Sequence, residues 1–134
     1  MAKKNEDPCV WATGRRKTSI ARVRLRSGTG KLVINKKELD DYFSTATERG
    51  TVMAPLKAVG AEGSLDVYVN ANGGGGSGQA GAISLGIARA LIKHDSEHEH
   101  VLREHKYLTR DSREVERKKY GRRGARRSFQ FSKR

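Results

Sequence analysis

An α/β body is predicted, a two-layer arrangement with helices packed on a small sheet, followed by a long extended basic C-terminal tail. Three observations predict it. Between Lys17 and Arg26, Ala21, Val23 and Leu25 alternate with Arg22, Arg24 and Arg26, the period of a strand with one buried face. From Ser77 to Ile92, Ala80, Ile83, Ile87 and Leu91 recur at the spacing of a helix with one apolar stripe. From Arg117 to Arg134 there are nine Lys or Arg and no acid. Those last residues have too little apolar surface to offset their ordering entropy and self-repulsion, so alone they are expected to be disordered.

The elements follow in order. Residues 1–9 are expected to form a flexible N-terminus, 10–111 a globular body and 112–134 the tail. Val10 to Thr13 reads as a strand, and Cys9 as a small apolar strand residue next to Val10 and Trp11. The alternating basic strand comes next, then a turn at Ser27-Gly28-Thr29-Gly30 and a strand from Lys31 to Ile34, together resembling an antiparallel meander. Asn35 with Glu38 has capping-box spacing and predicts a short helix carrying Leu39, Tyr42 and Phe43. Thr45 with Glu48 predicts another, ending near Pro55. Leu65 to Asn70 returns to strand, and the glycines from Gly73 to Gly76 lead into the longest helix. Gly81, Ala82, Gly86 and Ala90 let that helix lie close on a sheet. Ser96 with Glu99 opens a last helix, to about His105.

Charge is segregated along this frame. The net charge of +13 divides into eleven bases and two acids over residues 1–37, five bases and ten acids over 38–104, three of each over 105–116, and nine bases in the tail. Two cationic ends around an acidic middle point to a polyanion partner, and the densest array of negative charge in a cell is nucleic acid phosphate. A membrane surface is the rival anion. Gly121 and Gly124 and the want of an apolar stripe oppose an amphipathic helix in the tail, and no apolar run reaches about 20 residues. Lys3 and Lys4 are followed by Asn5, Glu6, Asp7 and Pro8, unlike a secretory leader, so the chain is expected to stay in the cytosol. One cysteine excludes an intrachain disulfide.

Two motifs suggest other chemistry. Gly73, Gly75 and Gly78 satisfy G-x-G-x-x-G between a strand and a helix, where backbone N–H groups can cradle a phosphate. Four consecutive glycines fit many patterns, however, and Gln79 and Ala80 stand where a Walker loop needs a lysine and a hydroxyl. The favoured reading is a loop whose missing side chains allow close approach to a backbone of protein or RNA. His94, His98, His100 and His105 mix with Asp95, Glu97 and Glu99 but lack metal-site spacing; the charges suit the ends of helix dipoles. No nucleophile, base and acid set is discernible, so neither an enzyme nor a cofactor nor a small-molecule substrate is expected. The remaining rival is a DNA-compacting protein, which would hold duplex DNA as tightly as folded RNA at equal salt.

Four stretches together are familiar: TGRRKTSIARV from Thr13 to Val23, GGGGSGQAGA from Gly73 to Ala82, LTRDSREVERKKYG from Leu108 to Gly121, and FQFSKR from Phe129 to Arg134. They closely resemble the family of the ninth protein of the small ribosomal subunit in its bacterial form, over about Val10 to the C-terminus. The resemblance implies a body like the second domain of ribosomal protein S-five, with a left-handed βαβ crossover. It implies a structural role in translation, bound in the cytoplasmic ribosome to the 3′ major (head) domain of the small-subunit ribosomal RNA among neighbouring head proteins. It further implies a tail that reaches the anticodon stem-loop of the peptidyl-site tRNA. Carried over, Lys133 and Arg134 meet the tRNA, while Arg15, Arg16, Lys17, Arg22, Arg24, Arg117, Lys118, Lys119, Arg122, Arg123, Arg126 and Arg127 meet ribosomal RNA, with Phe129 and Phe131 available for stacking. The sequence departs from the family pattern at Ser128-Phe129, where many members have a further base and a proline. It also departs at Cys9 and Trp11, where a tyrosine is common, a difference expected to touch packing alone.

Overall fold

The computed structural model describes residues 9–114 and 116–127. Its strands are β1 (Val10–Arg16), β2 (Ser19–Ser27), β3 (Leu32–Ile34), β4 (Lys37–Glu38) and β5 (Leu65–Asn72). Its helices are α1 (Leu39–Tyr42), α2 (Ala46–Val59), α3 (Gly76–His94) and α4 (His98–Glu104). The sheet order is β1-β2-β5-β3-β4, antiparallel except where β3 runs parallel to β5.

The expected meander is therefore broken after β2. Strand β3 does not pair with β2, because β5 lies between them. The linker from Gly28 to Lys31 crosses the start of β5 and is pinned there by one carboxylate. Asp66, 6 % exposed, accepts N–H groups from Thr29 at 3.0 Å, Gly30 at 3.2 Å and Lys31 at 2.9 Å. The Gly28 N–H donates to Ser64 and the Val67 N–H to Lys31, on either side of the crossing. A buried acid with three backbone donors is fully used, and the Lys31 N–H above all holds its pKa below the ordinary value, against the opposing effect of burial.

Helix α3 packs on β1 and β2, and α2 and α4 pack on α3. Ala80, Ile83, Ile87 and Leu91 are buried, as the helical spacing predicts. The three larger side chains contribute about 1.5–3 kcal/mol each by leaving water. Inward residues of β2 (Ala21, Val23, Leu25) and β5 (Val67, Val69, Ala71) complete the core. Helix and sheet meet closely because Gly86 sits over β1 and β2. A Cβ there would come 2.6 Å from Val23 Cγ2 and 3.2 Å from the Gly14 nitrogen.

Two expected boundaries move. Helix α2 does not stop at Pro55 but carries it, buried beside Leu56, and ends where Gly60 takes φ +70° and donates to the Leu56 and Lys57 carbonyls. Burial of that face outweighs the missing proline donor, and the glycine supplies the left-handed stop. Asn35 caps no helix: with φ +48° at Asn35 and +68° at Lys36, it opens a two-residue hairpin between β3 and β4. Its amide exchanges bonds with Ala71 of β5, accepting from the N–H at 2.9 Å and donating to the carbonyl at 3.0 Å. Neither Glu38 before α1 nor Thr45 before α2 makes a side-chain cap bond, whereas the start of α2 agrees with the Thr45 reading. The last helix begins at His98 rather than Ser96, because Asp95 turns the chain by accepting the Glu97 N–H at 3.0 Å.

Candidate nucleic-acid interface

Parity along the strands decides what the sheet shows on the face away from α3. In β2 the alternation holds as predicted: Ala21, Val23 and Leu25 are buried, and Arg22, Arg24 and Arg26 point the other way. Register then sets their neighbours. Trp11 of β1, Arg24 of β2, Tyr68 of β5 and Val33 of β3 stand in one row across four strands. The Arg24 guanidinium lies 5.7 Å from the Trp11 ring centre and 4.8 Å from that of Tyr68, while Arg26 lies 5.8 Å from Tyr68. These are cation–π distances, and they hold a cation upright without an acid. Arg24 Nε is shut in with no hydrogen-bond partner.

Trp11 is 54 % exposed in this row. Cys9 is likewise exposed, just ahead of β1, and is not a strand residue. Sequence reading missed Trp11 and Tyr68 as candidate interface residues. The available signal was their parity, which matches that of the arginines only once the register is known.

The β1–β2 hairpin carries the next cations. Arg15 and Lys17 are exposed, and Lys17 takes φ +53° at the tip. Arg16 belongs to the opposite face, in step with Ala12 and Gly14. It lies over Gly81 of α3, where a Cβ would come 2.7 Å from its Nη1, and its Nη2 is 3.7 Å from Asp111. Asp111 is also held at 2.7 Å by Arg113, whose guanidinium and N–H keep the carboxyl far below its ordinary pKa. The stretch that leaves the body after α4 is thus tied to the turn end of the β1–β2 hairpin.

Beyond Asp111, Arg117, Lys118, Lys119, Arg122, Arg123, Arg126 and Arg127 are all exposed, as is Tyr120. Glu116 pairs with Lys119 and, at 2.8 Å, with Arg126. Among the described residues Arg117, Lys118, Arg123 and Arg127 have no carboxylate partner. Phe129, Phe131, Lys133 and Arg134 lie outside the described residues.

The glycine loop is occupied by its own protein. A Cβ on Gly73 would come 2.7 Å from the Thr18 carbonyl, and that glycine's own carbonyl accepts bonds from Ser19 Oγ at 3.0 Å and Gln79 Nε2 at 3.1 Å. Tyr42 donates to Gln79 and receives a bond from Asn35 at 3.2 Å, so the β3–β4 turn, α1 and the loop share one polar chain. The Glu48 carboxylate faces Gly76, where a Cβ would be 2.8 Å from Oε1. An acid already sits at the positive end of α3, where a phosphate would have to bind. Among the described residues no three His, Cys, Asp or Glu side chains gather in metal-binding geometry, and no helix is long and apolar enough to cross a membrane.

The amino-acid sequence matches the family described as ribosomal protein S9/S16 over residues 14–134. This chain belongs to the ribosomal protein S9/S16 family. The small ribosomal subunit protein uS9 of Anaeromyxobacter sp. (strain K) is 56 % identical over 121 residues, covering 90 % of this chain and 93 % of that protein. Its counterpart in Syntrophobacter fumaroxidans is 52 % identical over 128 residues, covering 96 % and 98 %, and that of Thermotoga neapolitana 53 % over 127, covering 92 % and 95 %. Membership in the S9/S16 family makes the chain a structural, non-enzymatic ribosomal protein. The cationic faces described above are those of an S9/S16 protein.

Proposed function

We propose that this chain binds the 3′ major domain of the small-subunit ribosomal RNA in the head of the cytoplasmic ribosome, beside neighbouring head proteins, and that its tail reaches the peptidyl-site tRNA. The open face of the sheet is the observation that carries this reading. Arg22, Arg24 and Arg26 project from one strand on the side that α3 leaves uncovered. Arg15 and Lys17 extend this cationic surface at the hairpin tip, while Arg16 anchors the exit of the tail.

Among the described residues the last helix ends at Glu104, which supports a body to about residue 111 and a tail over 112–134. Fully extended, eighteen residues reach on the order of 60 Å, far enough to follow a narrow path between RNA helices. Arg117 to Arg127 pack along ribosomal RNA in this reading, Phe129 and Phe131 stack on it, and Lys133 and Arg134 hold the anticodon stem-loop. The family resemblance implies a left-handed βαβ crossover, and the parallel pair β3 and β5, joined through α1 and α2, is where it would lie.

Reconstitution tests the division of labour. Subunits are assembled with the full chain, with residues 133–134 deleted, and with 117–134 deleted, and washed at high salt. The short deletion leaves incorporation intact and weakens peptidyl-site tRNA binding by about 1.5–3 kcal/mol per lost charge-assisted bond. The long deletion impairs incorporation. Normal tRNA affinity in the short-deletion subunits would remove the tRNA role.

A further inference from the structure

The open sheet face holds a cavity of about 210 Å³. It is walled by Trp11, Arg22, Arg24, Lys36, Tyr68 and Asn70, drawn from three strands and the tip of the β3–β4 hairpin. Among the described residues neither Arg22, Arg24 nor Lys36 has an acid partner. A large ring with 54 % of its surface in water thus stands beside three uncompensated cations. Cations alone would suit the phosphates of any duplex. The exposed indole adds a flat apolar surface that a duplex, with its bases stacked inside, cannot use.

We infer that the Trp11–Arg24–Tyr68 row is a stacking subsite for an unpaired RNA nucleotide. The base lies on the Trp11 ring, which Arg24 fixes from the β2 side at 5.7 Å. Tyr68 braces the same guanidinium at 4.8 Å, so ring, cation and ring form one preorganised unit. Arg22 and Lys36 take the flanking phosphates, and the exposed Asn70 amide offers a donor and an acceptor to a base edge. Lys36 stands at φ +68°, a conformation that glycine adopts at lower cost, which keeps a cation at this rim. This inference rests on the RNA-binding reading and adds that the body selects single-stranded RNA at this face.

Trp11 is the chain's only tryptophan, so its emission reports on this site without interference from the tail. The full-length protein is titrated at fixed salt with a short single-stranded oligoribonucleotide, an abasic strand of equal length and charge, and a blunt duplex. The single strand quenches Trp11 saturably, whereas the abasic strand and the duplex leave it nearly unchanged. Arg24→Lys, which keeps the charge, weakens the quenching midpoint about tenfold with an unaltered salt slope, the loss of one stacking contact. Equal quenching by the abasic strand would reduce the site to charge and overturn the inference. So would emission indifferent to every RNA, or a blue shift only on assembly into subunits, which would assign the face to a neighbouring protein. Co-sedimentation of the same preparation with small subunits separates the failures: if it persists without quenching, only the stacking site falls, and if it is lost, the RNA-binding reading falls as well.

Discussion

Gly14 of β1 and Gly86 of α3 touch backbone to backbone: a Cβ on Gly14 would overlap the Gly86 nitrogen and come within 2.9 Å of its Cα. The same Cβ would run into the Ala82 carbonyl oxygen. No rotamer relieves that collision, since every obstructing atom belongs to the main chain of a buried helix. Gly14→Ala therefore forces β1 away from α3 and destabilises the body by about 3 kcal/mol, the upper end of ordinary overpacking. Urea unfolding checks this as a lower midpoint at unchanged slope.

Acid sensitivity concentrates at Asp66. Its pKa is lowered in the folded state, so its stabilising contribution is present above the unfolded value of about 3.9 and is lost as pH falls through that value toward the folded one. Asp66→Ala lowers Tm by several degrees at pH 7, and the gap to the parent protein narrows toward pH 3. Thermal melts of both proteins across that range read the difference, in which the other carboxylates cancel.

Tyr42→Phe removes one hydroxyl and with it the link between Asn35 and Gln79. The expected cost is about 0.5–1.5 kcal/mol. Amide exchange at Gly73 to Gly76 should quicken more than exchange in α4, because the polar chain ends on the Gly73 carbonyl.

Arg22→Gln tests the open face by its electrolyte dependence. Loss of one phosphate contact lowers the slope of log affinity against log salt by about 0.7–0.9. Lys57→Gln, on helix α2, leaves the slope unchanged. Filter binding to head-domain RNA at several salt concentrations compares the two.

Much of the body was legible because local period and burial agree. The arginine strand and the stripe of α3 each encode one face in a few residues, and both survive in the structure. What was illegible depends on partners distant in the chain. Pro55 reads as a helix end until its burial beside Leu56 is known, and it masks the signal of Gly60, the actual stop. The Asn35–Lys36 hairpin is hidden because lysine is a poor marker of positive φ. Trp11 and Tyr68 are linked through Arg24 by register, which no stretch of sequence displays. The cations themselves were visible from composition, but not the turning of Arg16 toward Asp111.

The central position of β5 also orders the events of synthesis. Strands β1, β2 and β3 leave the ribosome first, yet β2 and β3 have no shared edge until Leu65 to Asn72 arrives between them. Until then the inner edge of the arginine strand is unpaired and exposed to other chains or to nucleic acid. Closure of the sheet thus waits for the second half of the body, and the long-range β2–β5 pairing belongs to the slow class of folding steps. A nascent chain stalled before residue 65 would be a cationic, edge-open hairpin, and its fate would be set by chaperones and by whichever polyanion it met first.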